Sequence, residues 1–227
     1  MSIQDNYRQV VSGIRQGVRL VAVSKYKSVE EIKVVYDAGQ RIFGENKAQE
    51  MRAKHEVLPS DIEWHFIGHL QRNKIKYIIG YVSLIHSIDS LELLEEVNKA
   101  AAKENRVVPC LLQFHIAQEE SKFGLDMEQA VALLQSPAYK AMQNVRIDGV
   151  MGMATFTPDK EQVKQEFASL RAIFQKLQAG YFAGKAHFKE ISMGMSDDYE
   201  LAMQEGSTLV RIGSSIFGAR DYSQKLY

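Results

Sequence analysis

Residues 18–27 read VRLVAVSKYK, and from residue 29 the chain continues VEEIKVVYDAG. A short apolar run rich in β-branched residues gives way to polar punctuation and then to a helical pattern, which is one βα unit. The alternation recurs along the chain and predicts a parallel sheet. Strands are expected at 18–24, 41–44, 64–67, 84–87, 108–114, 149–153, 190–193 and 209–212. Helices are expected at 29–38, 47–55, 73–79, 91–104, 127–134, 160–177 and 198–205, with a short one from Ser215 and an extra one at 3–15 ahead of the first strand. Eight βα units predict one α/β domain over residues 1–227, a (β/α)8 TIM-type barrel, with a doubly wound open sheet as the alternative. The dinucleotide fingerprint GxGxxG is missing after strand one, where VSKYK stands, and this weighs against the alternative.

The composition sets limits on function. Lys plus Arg and Asp plus Glu both number 28 in 227 residues, so the formal net charge is zero. No global field favours nucleic acid or an anionic membrane, and neither partner is expected. The N-terminal MSIQDNYRQVVSG lacks the apolar stretch of a signal peptide, and no apolar run nears the ~20 residues that span a bilayer. A cytoplasmic protein is therefore expected, and, with no large amphipathic surface in the pattern, a monomer. The single cysteine, Cys110, sits in VVPCLLQF and reads as a buried strand thiol. His65 and His69 are spaced i, i+4, but a strand running into a loop does not put them on one helical face, so no metal site is expected.

In a barrel of this type, chemistry collects where strands end. The positions there are Lys25, Glu45–Asn46, His69, Asp89, His115, Ser196 and Gly213–Ser214. Several could simply cap the helices that follow, as expected for Asp89 and Ser90 and considered for Asn46 and Ser196. Lys25 ends a strand expected to be buried on both faces. It must either reach solvent along its stem or sit as a neutral amine able to attack a carbonyl. After strand seven the chain reads SMGMSDDYELA, and after strand eight RIGSSIFG. Gly194 and Gly213 allow close backbone approach, and Ser196, Ser214 and Ser215 offer hydroxyls and amides at helix starts, where phosphate is held. A phosphate opposite a strand-one lysine suggests a phosphorylated carbonyl compound: pyridoxal phosphate, or a phosphosugar handled by an aldolase. Arg211, two residues before Gly213, is expected in the same barrel mouth or paired with a carboxylate. Set against a pyridine nitrogen, a permanently protonated guanidinium would leave that nitrogen unprotonated and the ring a poor electron sink.

The runs VAVSKYK, FGENKAQE, WHFIGHLQRNK, HSID, EESKFGL, GVMGMATF, SMGMSDDYELA and VRIGSSIFGARDY occur in this order over nearly the whole chain. Together they resemble the pyridoxal phosphate homeostasis proteins. The resemblance implies a fold-type III barrel like the N-terminal domain of alanine racemase, with pyridoxal 5′-phosphate as a Schiff base on Lys25. It implies phosphate contacts from Ser196, Gly213 and Ser214, and Arg211 facing the pyridine nitrogen. It places Asn46 and His69 beside the ring, and Met193 and Gly194 in the pocket wall. Lys122 is implied at a surface for cofactor entry or exit. Ser214–Ser215 replaces a common threonine, and His115 a common asparagine, which leaves the role of His115 open. The resemblance implies a carrier that supplies vitamin B6 cofactor to apo-enzymes rather than a catalyst. An amino-acid racemase or lyase on the same barrel is the alternative. A racemase of this kind draws a second base from a C-terminal β-domain, which is expected to be lacking because the sequence runs out at Tyr227.

Overall fold

The computed structural model describes residues 2–118 and 123–218. Eight parallel strands close into a barrel in chain order: β1 (Arg19–Val23), β2 (Ile42–Glu45), β3 (Glu63–Phe66), β4 (Leu84–Ile88), β5 (Val108–Phe114), β6 (Val145–Gly152), β7 (Glu190–Ser192) and β8 (Leu209–Ile212). The expected barrel is the observed one, and every expected strand overlaps an observed strand. β6 starts four residues before its expected beginning, because Val145, Arg146 and Ile147 pair with Val108, Pro109 and Cys110. The first and last strands close the ring in register, with Arg19 opposite Leu209 and Val21 opposite Arg211.

The helices around the barrel are α1 (Ile3–Gly13), α2 (Val29–Asp37), α3 (Ala48–His55), α4 (Leu91–Lys103), α5 (Met127–Gln135), α6 (Pro137–Ala141), α7 (Lys160–Gly180), α8 (Tyr199–Gln204) and α9 (Ser214–Phe217). Ser2, Ser28 and Asp126 start α1, α2 and α5 with reciprocal capping boxes. The segment expected as a helix at 73–79 forms a 3₁₀ helix, Arg72–Tyr77. The sequence reading omitted α6, which begins with Pro137 behind the N-cap Ser136.

Two apolar layers follow from the period-two alternation of strand side chains. One fills the barrel and is formed by Val21, Leu84, Leu111, Met151 and Leu209. The other lies between strands and helices and includes Phe43, Trp64, Phe66, Leu112, Val150 and Ile212. Cys110 is fully buried, as expected, and burial pushes its thiol pKa up. Helix α1 lies over the seam between the first and last strands: Asn6 donates to the Ile216 carbonyl at 3.2 Å, and Tyr7 donates to Gln40 at 3.2 Å. No helix among the described residues is long and apolar enough to cross a membrane.

Candidate functional site

Continuing the inward alternation by one step beyond the filled layer reaches Val23, His86, Gln113, Met153 and Arg211. A further step on the seam strands reaches Lys25 and Gly213. These C-terminal strand ends open into a cavity of about 460 Å³. Lys25, Asn46, His69, Ser196, Arg211, Gly213 and Ser214 all line it. A larger, shallower groove of about 660 Å³ lies alongside and shares only His69 with the mouth. Lys25 and Arg211, the amine and the guanidinium, meet in the mouth, so we take the mouth as the site.

The capping expectations resolve individually. Ser90 caps α4 by accepting from the Leu93 amide at 3.3 Å. Asp89 instead faces the Nδ1 of His69 at 3.2 Å. Lys47, rather than Asn46, stands at the N-cap of α3, and the buried Oδ1 of Asn46 has no hydrogen-bond partner in the protein. A buried amide oxygen of this kind, in a cavity wall, fits a ligand that donates to it. Ser196 does not cap α8, which begins behind Asp198. Its Oγ accepts from the Gly213 amide at 3.3 Å and so ties the strand-seven loop to the strand-eight loop. Gly213 has room for little else: a Cβ there would stand 3.1 Å from the Val23 carbonyl oxygen.

Two expected residues fall outside the cavity. Met193 is fully buried in the layer between barrel and helices, because it follows the inward-facing Ser192 by one residue. Gly194, with φ +93°, is a packing glycine, and a Cβ on it would meet the Cβ of Ala202 in α8 at 2.5 Å. Met153 and Met195 supply the sulfur-bearing wall instead. His115 is exposed and does not line the cavity. Lys122 lies outside the described residues. Sequence reasoning also passed over Lys27, Gln113, Phe123, Phe156 and Asp197, which share the lining. Parity along β5 points to Gln113, whereas the loop residues carry no local signal. His69 stacks on Phe123 with ring centroids 4.4 Å apart.

Arg211 is almost fully buried, and burial lowers its pKa to about 10 while the charge of Asp198 opposes the fall. It therefore stays charged at neutral pH. Its Nη1 donates to Ser192 Oγ at 2.6 Å and its Nη2 to the Gly152 carbonyl at 3.1 Å. Beneath it, Ser192 Oγ lies 2.9 Å from His86 Nδ1, and His86 Nε2 lies 2.9 Å from His65 Nδ1. A guanidinium can only donate. Ser192 thus accepts from Arg211, and in the arrangement that gives its own hydroxyl proton an acceptor it donates to His86 Nδ1. His86 in that arrangement carries its proton on Nε2 and donates to His65 Nδ1. Both imidazoles are neutral: burial pushes His65 down to about 3 and His86 well below its ordinary range. The chain runs one way, from Arg211 into the barrel, and turns its charge-bearing end toward the cavity. Among the described residues no group of three or more His, Cys, Asp or Glu is placed to hold a metal ion.

The donor set suits a phosphorylated aldehyde with a ring nitrogen: an amine on strand one, hydroxyl and amide groups on the strand-seven and strand-eight loops, and a guanidinium between them. Comparison with known proteins points the same way. The model of the family described as "Alanine racemase, N-terminal domain" matches residues 1–221. A protein of Aquifex aeolicus named "Pyridoxal phosphate homeostasis protein" is 40% identical over 205 residues, covering 90% of this chain and 88% of its own. One of the same name from Escherichia coli K12 is 39% identical over 214 residues, covering 92% and 88%. The structure of PipY from Synechococcus elongatus PCC7942 with PLP bound superposes with a TM-score of 0.85 at 34% identity, covering 96% of this chain and all of that one. Alanine racemase from Bartonella henselae superposes at 0.70 with 18% identity over 60% of its length, a likeness of fold alone.

Proposed function

The chain belongs to the alanine racemase N-terminal domain family and, within it, to the pyridoxal phosphate homeostasis proteins, and from that premise we propose that it is a cytoplasmic, monomeric carrier of pyridoxal 5′-phosphate. It binds the cofactor and takes part in vitamin B6 homeostasis. The observation that carries the residue-level reading is the convergence of Lys25 and Arg211 in one cavity beside Ser196 and Gly213.

When bound, the cofactor supplies an aldehyde that Lys25 holds as a Schiff base. The protein's own groups do the rest. Ser196, which now accepts from the Gly213 amide, would take the phosphate together with the Gly213 and Ser214 amides at the start of α9. Asn46, whose Oδ1 has no partner in the protein, would lie beside the bound ring. His69, stacked on Phe123, closes one side. Arg211 would meet the pyridine nitrogen as a donor, so the lone pair would stay on that nitrogen and no positive ring nitrogen would withdraw electrons. A ring with no positive nitrogen is a weaker electron sink for bonds at a substrate carbon, which favours a carrier handing its cargo to apo-enzymes over a racemase or lyase.

The test is the absorption spectrum of the purified protein before and after borohydride, followed by peptide mapping. The expected result is a visible band that borohydride removes, with phosphopyridoxyl mass on the Lys25 peptide, and loss of both in a folded Lys25→Ala variant. A protein that stays colourless with added pyridoxal phosphate overturns the cofactor site. Exchange of an amino-acid α-proton into deuterated water overturns the carrier reading.

A further inference from the structure

Behind Lys25, on the side away from the cavity, lies a buried ion cluster that the cofactor reading does not use. Glu50 and Lys54 sit four residues apart on one face of α3. Lys54 is fully buried, and its three ammonium protons have three acceptors: the Ser24 carbonyl at 2.7 Å, Glu45 Oε1 at 2.8 Å and Glu50 Oε1 at 2.7 Å. Ser24 Oγ also donates to Glu45 Oε1 at 2.6 Å. The Tyr26 amide donates to Glu50 Oε1 at 2.6 Å. The carbonyl just before Lys25 and the amide just after it are thus gripped by the same Lys54–Glu50 pair.

The grip coincides with an unfavourable backbone conformation. Tyr26 has φ +62°, in the left-handed region. A non-glycine residue held there costs on the order of 1–3 kcal/mol and persists only where its surroundings impose it. Stability alone does not account for the cluster, since a buried ion pair is often no better than hydrocarbon of the same volume. Hydrocarbon, however, cannot hold a carbonyl and an amide in fixed directions. None of Glu45, Glu50 and Lys54 lines the cavity.

We infer that Glu50 and Lys54 are positioning residues for Lys25: they impose the turn at Tyr26 that aims the Lys25 amine into the cavity. This rests on Lys25 being the amine that takes the cofactor. The amine approaches the aldehyde along a narrow range of directions, so a relaxed turn lowers the fraction of chains in attacking geometry.

The measurement is the rate at which the visible band forms when cofactor-free protein is mixed with pyridoxal phosphate, with borohydride trapping and peptide mapping to locate the adduct. Glu50→Ala is expected to slow adduct formation at Lys25 by about tenfold, the rate equivalent of one lost hydrogen bond. Glu50→Gln preserves size and an acceptor oxygen but makes the bond neutral, roughly half as strong, and about a threefold slowing is expected. Glycine adopts the left-handed region without steric cost, so adding Tyr26→Gly to either variant is expected to restore most of the rate. A merely structural cluster would lower thermal stability and leave the rate in folded protein unchanged. Wild-type rates in folded Glu50 variants, or no recovery on adding Tyr26→Gly, overturn the proposal. An adduct that maps to another lysine in the wild type overturns the Lys25 reading and the proposal with it, a result distinct from the first two.

Discussion

His65 and His86 lie buried beneath Arg211, and their neutrality has a measurable consequence. Unfolded, each takes a proton below about its ordinary value of 6.5, whereas folded His65 does so only near 3 and His86 is likewise pushed well down. The unfolded chain then binds more protons, so these residues withdraw stability as pH falls below about 6.5. Glu45 acts in the opposite sense. Burial, opposed by Lys54, raises it to about 7 from an ordinary 4.5, so between those values its contribution is lost as pH rises. His55 is shifted down by burial in the same sense as His65 and His86, so the histidines together outweigh Glu45 and stability declines toward acid below about pH 6.5. Urea unfolding at pH 5, 6 and 7 should show this decline, and it should be shallower in His65→Gln. A wild-type stability that is flat or rises toward pH 5 would contradict the neutral histidine chain. At this scale the sequence was legible where a residue's chemistry had only one outlet. A lysine and an arginine at strand ends had to find a cavity or a partner. Asn46, Asp89 and Ser196 could equally cap helices, and only the packing of one loop against another separates these uses.

The elements were legible because hydrophobic period and punctuation change together at each strand–helix junction. Strands β5 and β8 were expected at their observed limits, since Val108–Phe114 and Leu209–Ile212 are apolar runs bounded by polar residues. The start of β6 was not, because VRID places two charged residues in a strand whose bonds depend on a long β5 partner. Arg146 and Asp148 hold each other at 2.6 Å, which makes those charges tolerable. The segment Arg72–Tyr77, basic and nearly without buried residues, wraps more tightly than an α-helix because only Ile75 anchors it. Met193 was misplaced for want of counting parity from Ser192. Gly149 shows how closely neighbouring elements depend on a missing side chain: a Cβ there would stand 1.9 Å from the Glu190 carbonyl oxygen on β7. Backbone in a barrel wall cannot step aside, so Gly149→Ala is expected to cost at least about 1–3 kcal/mol. Chemical denaturation would measure the loss. Gly17→Ala, where a Cβ would have open space but φ is +87°, supplies a comparison for backbone strain without a clash.

For the whole molecule, the cavity straddles the seam of the barrel. Lys25 follows the first strand, while Arg211 and Gly213 belong to the last, so a ligand held by both sides binds only the closed ring. Binding of that kind stabilises the fold by mass action, by ~2.7 kcal/mol at a free ligand concentration of one hundred times Kd. Pyridoxal phosphate should therefore raise the thermal midpoint by about 5–10 °C for a chain of this size. Lys25→Ala should give a smaller rise, and equal shifts in the two proteins would place the stabilising contact elsewhere. The seam also bears on how the protein is born. Strand β1 leaves the ribosome before all the other strands, and its partner β8 is the last of the eight. At roughly 5–20 residues per second, β1 waits on the order of ten seconds or more with one edge unpaired. A nascent chain in that interval has its amine but neither Arg211 nor Gly213, so cargo loading waits for the strand that closes the ring.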